Sequence, residues 1–355
     1  MRKLVIDRAA IKNNLTVIKD RAAGAAIYGV LTGDGQGVGT AALAQLLRDE
    51  GIGRFAVSEV SEAEALRQAG FVDEEILMLR ATTDREELER LVDLNVVCTV
   101  SSVDTGMALN ALAGNRSTVA EAHIQVDTGM GFGGFLVSEP EKLLLAYRSM
   151  PNVALSGVYT QLHAARPNDP QAKRQLEQFQ QALDAIHQAG FETGVVHAAG
   201  SFALLHGLAP ELDGVRAGSA ILGRCRRTRD DGLKTVGFGQ APLTEVRWLP
   251  KGHVLGVDRP VTLKKPTRVA VLPVGYQNGF GVTRPRETGL LAAIARWRKN
   301  NRRTVRLGSQ RARVLGGLGA SELILDVTDL KCSVGDLATF EMDPLFARGF
   351  QVEFR

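Results

Sequence analysis

The apolar positions of this chain fall into short runs that alternate with longer segments of helical spacing. Ala25–Thr32 (AAIYGVLT) is a compact apolar run and predicts a strand. Thr40–Glu50 (TAALAQLLRDE) carries an apolar stripe at three- and four-residue intervals and predicts a helix. The alternation continues through strands over Phe55–Val60, Ile76–Leu79, Val96–Val100, Glu121–Val126, Leu155–Leu162, Gly194–Ala198 and Asp213–Leu222. Helical patterns over Ser61–Gln68, Arg85–Asp93, Asp104–Ala113, Glu139–Arg148 and Asp169–Ala189 separate them, with a short helix after Ser201. Ser61 with Glu64 three residues on reads as a capping box. Eight strand–helix units in series imply parallel strands and right-handed crossovers, and close into a (β/α)8 barrel.

Beyond about residue 240 the helical spacing fades. Leu243–Leu249, Arg268–Pro273, Arg311–Leu315, Leu323–Val327 and Leu337–Glu341 predict strands between Gly, Pro and Asp turns, with one helical stretch at Leu290–Asn300. The expected organisation is an α/β barrel over residues 8–240 and a mostly-β domain over residues 241–355, with residues 1–7 joining the second. In such a barrel chemistry sits just after the strand ends.

Composition narrows the classes. A chain of 355 residues with 45% hydrophobic and 23% charged residues builds a full core without disulfide or metal staples. Three widely spaced cysteines, Cys98, Cys225 and Cys332, fit a reducing cytoplasm rather than a disulfide scaffold or a zinc module, and no metal site is expected. The opening MRKLVIDRAAIKNNL has no signal-peptide core, and no apolar stretch is long enough to span a membrane. The net charge of +4 is modest but clustered at Arg224–Arg229 and Arg296–Arg311. No aromatic stacking platform accompanies these clusters, so nucleic acid is not the expected partner. The glycines of GDGQGVG (Gly33–Gly39) lack the lysine of a phosphate-binding loop and read as a permissive strand-to-helix turn.

Several fragments together resemble the alanine racemase family. They are IKNNL (Ile11–Leu15), FAVSEVSEAEALR (Phe55–Arg67), VDTGMG (Val126–Gly131), HAAGS (His197–Ser201), VRAGSAILG (Val215–Gly223), LPVGYQNGF (Leu272–Phe280), and ILDVTDL followed by SVGDLATF near the end. They occur in order over nearly the whole length. The resemblance implies a fold-type III barrel carrying pyridoxal phosphate (PLP), a C-terminal β domain, and a homodimer whose sites are shared between subunits.

The departures from the family pattern carry the functional expectation. The family's first barrel strand ends in a pattern like VVKADAYGHG, whose lysine forms the Schiff base with PLP; here the stretch is VLTGDGQGVG (Val30–Gly39). In that register the lysine position is Thr32, the phosphate-contacting tyrosine is Gln36 and the histidine is Val38. A hydroxyl cannot form an imine. The family's second base, a tyrosine near the start of the β domain, falls at Val257. The arginine of TGMGR is Phe132, a histidine after a later strand is Gln161, and an asparagine before the site serine is Gly200. Racemisation needs a proton acceptor on each face of the substrate carbon, so loss of both bases removes the chemistry.

Part of the family's cup survives. Arg216 stands where an arginine faces the pyridine nitrogen, with His197 as its support, and Ser201 with the backbone of Gly218 and Ser219 matches a phosphate cradle. The competing reading makes Arg216 an ion-paired strand residue and Ser201 a helix cap. Asp34, Gln36, Gln161 and His163 are the polar residues that could line the barrel mouth, and Asp127 reads as structural rather than as a base. The resulting expectation is a pseudoenzyme of the alanine racemase type, with no covalent cofactor. It would bind a small anionic ligand, PLP or another phosphorylated molecule, non-covalently. One alternative is PLP-independent chemistry at the mouth; another is an active PLP-dependent racemase. The basic segment 283–306 is longer than the family's usual stretch and is the candidate protein-interaction element.

Overall fold

The computed structural model describes residues 1–163, 169–208, 211–225, 231–256, 260–282 and 303–355. Val257, the helical stretch expected at Leu290–Asn300, most of the 283–306 segment and the arginines at 226–229 lie outside the described residues. The chain divides into two compact units, residues 9–235, and residues 1–8 together with 236–355.

After β1 (Lys3–Ile6), the first unit contains the parallel strands β2 (Ala26–Val30), β3 (Arg54–Val57), β4 (Glu75–Met78), β5 (Cys98–Val100), β6 (Ala120–Asp127), β8 (Val153–Tyr159), β9 (Val195–Gly200) and β10 (Gly214–Ala217). The two-residue strand β7 (Phe135–Leu136) pairs with β6 off the main path. Sheet order is β4-β3-β2-β10-β9-β8-β6-β5. The ring closes between its ends in a parallel bridge of Leu77 with Val97: the Met78 amide donates to the Val97 carbonyl at 2.9 Å and the Val97 amide to the Ile76 carbonyl at 2.8 Å. This is the expected (β/α)8 barrel. The first strands pack inward through Tyr28, Ala56, Leu77 and Val97, which form one buried cluster.

The helices follow the expected periods. Thr40–Asp49 buries Thr40, Leu43, Ala44 and Leu47, one face at three- and four-residue spacing. Ser102 caps the helix Val103–Asn115 by accepting from the Thr105 amide, and Asp84 does the same for Arg85–Asp93 through the Glu87 amide. The capping box expected at Ser61 and Glu64 is instead placed two residues earlier. The helix runs Val60–Gln68, and the Glu62 carboxylate accepts from the amides of Ser58 and Glu59. Glu62 wins because it is buried and also accepts from the Asp34 amide at 3.0 Å, a long-range partner invisible in local sequence.

The second unit is a nine-stranded sheet in the order β12-β15-β18-β17-β16-β19-β11-β1-β20, with β13 (Val254–Leu255) and β14 (Val261–Thr262) as a separate pair. Its strands are β11 (Phe238–Pro242), β12 (Glu245–Leu249), β15 (Thr267–Leu272), β16 (Thr304–Leu307), β17 (Gln310–Leu315), β18 (Leu323–Asp326), β19 (Leu337–Glu341) and β20 (Gln351–Phe354). β1 lies between β11, antiparallel to it, and β20, parallel to it. The mostly-β character of this region is as expected.

Candidate functional site

The strand-to-helix connection after β2 has an unusual backbone. Gly33, Asp34, Gly35 and Gln36 all lie in the left-handed region, with φ between 54° and 74°. Two non-glycine residues in that region cost about 1 kcal/mol or more each unless their surroundings hold them. The holding bonds are present. The Gly35 amide donates to the Leu31 carbonyl at 2.7 Å, the Asp34 carboxylate accepts from the Thr40 amide and hydroxyl at 3.0 and 3.1 Å, and Glu62 accepts from the Asp34 amide. Gly35 is obligatory here: a Cβ would stand 2.9 Å from the Thr40 nitrogen. Within the turn, the buried Gln36 folds back on Thr32. Its amide nitrogen donates to the Thr32 carbonyl at 2.9 Å and to the Thr32 hydroxyl at 3.1 Å. Asp34 is exposed and is engaged on the Thr40 side.

Inside the barrel, β6, β8, β9 and β10 contribute a continuous polar chain. Arg216 is only 4% exposed. Its Nη1 lies 2.6 Å from His197 Nδ1, and its Nη2 donates to the Thr160 carbonyl and to Gln161 Oε1, each at 2.7 Å. A guanidinium only donates, so His197 Nδ1 is an acceptor and its proton sits on Nε2. That N–H then donates to His123 Nδ1 at 2.9 Å, which leaves the His123 proton on its own Nε2. His197 is stacked between Tyr28 and Tyr159, at centroid distances of 5.1 and 5.0 Å. The tyrosine hydroxyls are also partnered, Tyr28 with Glu75 at 2.7 Å and Tyr159 with Thr99 at 2.9 Å.

Burial sets the electrostatics. Desolvation, with the nearby Arg216 charge, pushes His123 down to about 4 and His197 well below the usual imidazole range, so both rings are neutral. Desolvation also lowers Arg216, to about 10, and the guanidinium remains charged at neutral pH. No carboxylate pairs with Arg216 among the described residues; its partners are neutral oxygens and an imidazole. The reading of Arg216 as an ion-paired strand residue therefore does not describe it. Removing a buried charge from water costs several kcal/mol, and charge-assisted hydrogen bonds of about 1.5–3 kcal/mol each offset it.

Ser201 opens the short helix Ser201–Leu205, and Gly200 rather than Ser201 is its cap residue. The Ser201 hydroxyl accepts from the amides of Gly218 at 2.9 Å and Ala220 at 3.2 Å, so the second amide on it belongs to Ala220 rather than to Ser219. Gly200 leaves room for Gln161: a Cβ there would lie 3.3 Å from Gln161 Nε2. Thr32, Gln161, Ser201 and Gly218 all follow carboxyl ends of barrel strands.

His163 belongs to a neighbouring group. Its Nδ1 donates to Gln175 Oε1 at 2.7 Å, its amide donates to the same oxygen at 3.1 Å, and its Nε2 lies 3.3 Å from Asp169. A cleft lined by Thr128, Asp169, Gln171, Arg174 and Gln175 opens beside it. Asp127 accepts three backbone amides of Gly129, Met130 and Gly131 and so organises its loop, as its structural reading expects. Phe132, in the same loop, is 80% exposed.

Sequence reasoning missed His123, Tyr28, Tyr159 and Glu62. A polar residue at a buried position of an apolar strand, such as His123 in EAHIQV, was the available signal.

Comparison with known proteins places this geometry. The profile described as "Alanine racemase, N-terminal domain" matches residues 6–225, and "Alanine racemase, C-terminal domain" matches residues 239–343. The alanine racemase of Desulfosudis oleivorans is 30% identical over 290 residues, covering 78% of this chain and 74% of the relative. That of Clostridium tetani is 29% identical over 283 residues, covering 78% and 72%. Among solved structures, alanine racemase from Clostridium difficile superposes with a TM-score of 0.86 at 20% identity, over 100% of this chain and 95% of that one. The Bartonella henselae alanine racemase, with covalently bound pyridoxal phosphate, gives 0.84 at 20% identity over 100% and 99%. On the two matching domain profiles, the chain belongs to the alanine racemase family.

Proposed function

We propose that this protein is a non-racemising member of the alanine racemase family that keeps the barrel mouth as a site for a small anionic ligand. The observation that carries this reading is the residue two places after β2, Thr32. Thr32 offers a hydroxyl, already bonded by Gln36, where covalent attachment of an aldehyde needs a primary amine. Within residues 9–235 lysine occurs at positions 12, 19, 142, 173 and 234. The first four sit on the helices Arg8–Ala22, Pro140–Ser149 and Pro170–Gln188, and Lys234 lies in a segment tied to Asn14. On this reading the residues present do not fit lysine-bound PLP.

The unpaired charge of Arg216 and the small-residue cradle at Ser201 and Gly218 support retention of an anion, with Ser219 and His197 as neighbours. Gln161 adjoins this site through its bond to Arg216, whereas Gln36 is folded onto Thr32 and His163 onto Gln175. Cys98, Cys225 and Cys332 are buried and form no disulfide among the described residues, in keeping with a reducing, cytoplasmic setting. A homodimer is carried over from the family resemblance.

The test is spectroscopic and enzymatic. Purified protein is incubated with PLP, reduced with borohydride, and mapped for a labelled lysine, alongside an assay for interconversion of L- and D-alanine. The expected result is no visible band fixed by reduction and no turnover, with free PLP or inorganic phosphate raising the melting temperature. A reduced label on one lysine together with racemisation overturns the reading. A second reading, PLP-independent chemistry, rests on the His163–Asp169 contact beside the open cleft. Turnover of a phosphorylated ligand that is lost in His163→Gln would favour it.

A further inference from the structure

We propose that the outer face of the β16–β17 hairpin docks an acidic, leucine-bearing segment of a partner protein. Arg306 on β16 stands directly opposite Arg311 on β17, and Thr304 opposite Arg313. Side chains alternate between faces along a strand, so the three arginines share one face. On the neighbouring strand Arg306 opposes Thr339, which places Leu337 on that face too. The opposite face is core, with Val305, Leu307, Ala312 and Ala338 buried.

All three arginines are exposed, and Leu337 is 53% exposed. Among the described residues none of the three guanidiniums has a hydrogen bond or ion pair. Asp326 stands opposite Arg313, but its carboxylate is taken by the amide and hydroxyl of Thr328. Like charges directly across a sheet repel and destabilise it. The folded unit therefore carries a repulsive pair that an incoming anion would relieve.

Two features select the occupant. An extended acidic segment presents alternate carboxylates with the same two-residue period that separates Arg311 from Arg313, and each planar guanidinium can grip a carboxylate bidentately. Among the described residues the patch also offers arginine with an exposed leucine and no aromatic ring on which a base could stack. That is the composition of a protein interface rather than of a single-strand nucleic-acid groove.

The experiment is a fluorescence-anisotropy titration of the full chain with a short labelled peptide of repeating Glu-Glu-Leu, at low and moderate salt. A single-stranded oligonucleotide of equal length is the competitor probe. Wild type is expected to bind the peptide more tightly than the oligonucleotide. Arg311→Gln and the triple replacement Arg306→Gln, Arg311→Gln, Arg313→Gln should weaken peptide binding by at least about tenfold. Arg311→Lys should recover part of it, because a lysine keeps the charge but not the fork. Arg311→Gln should melt no lower than wild type, since it removes a repulsion, and this separates lost binding from lost folding. Peptide binding unchanged by the triple replacement overturns the proposal, as does tighter binding of the oligonucleotide.

Discussion

At the scale of single residues, the centre of this molecule is a buried cation held by neutral groups. Arg216 donates to Thr160, Gln161 and His197, and His197 passes the polarity on to His123. Two outcomes follow. Gln161→Ala removes one charge-assisted acceptor and should lower stability by about 1–3 kcal/mol, while Gln161→Glu should recover the loss and raise the melting temperature above that of the alanine variant. Urea titrations of the three proteins would check both. The second concerns pH. His123 titrates near 4 when folded, below its ordinary value of 6.5, so the unfolded chain takes up the proton first. Its contribution is complete above about pH 6.5 and is lost as the pH falls towards 4, on the order of 3 kcal/mol in all; His197 acts in the same direction. His123→Asn should show a shallower fall in stability between those pH values than wild type, measured by denaturation at a series of pH values.

At the scale of elements, the turn after β2 and the packing around His123 depend on glycines. Gly35 sits at φ 60° with Thr40 backbone against it, so Gly35→Ala should cost about 1–3 kcal/mol and disorder the Thr32–Gln36 contact. Gly157 lies against the His123 ring: a Cβ there would approach it to 2.6 Å. Gly157→Ala should therefore displace His123 and break its bond to His197, visible as a change in the imidazole nitrogen resonances. The residues Gly33, Gly35, Gly37 and Gly39 announced a permissive turn in the sequence. That Asp34 and Gln36 would also be left-handed was not legible, because their backbone is imposed by Thr40, Leu31 and Glu62 from outside the turn.

At the scale of the whole molecule, the second unit depends on the beginning of the chain. β1 separates β11 from β20 and bonds to both, and Lys3 pairs with Glu353 at 2.7 Å. Deleting residues 1–7 should leave β11 and β20 without a shared neighbour and lower the melting of residues 236–355 far more than that of residues 9–235. Calorimetry resolving two transitions would show it; an unchanged profile would contradict the central placement of β1.

From residue 25 to residue 222 the sequence by itself determined the order of the main barrel strands and their helices, though not the two-residue β7, because apolar period is a local property and each barrel strand is buried enough to display it. It also determined which chemical groups are available: a hydroxyl at position 32, a glutamine at 161, an arginine at 216. Tertiary structure alone decided which of these meet. Arg216, His197 and His123 come together because β10, β9, β8 and β6 are neighbours around a closed barrel, and Glu62 reaches Asp34 across two strand ends. Which strands β1 pairs with inside the second unit, β11 and β20, was likewise settled by pairing over more than two hundred residues of chain separation. Hydrogen-bond partners and strand register are relations between distant segments, and no periodicity within either segment records them.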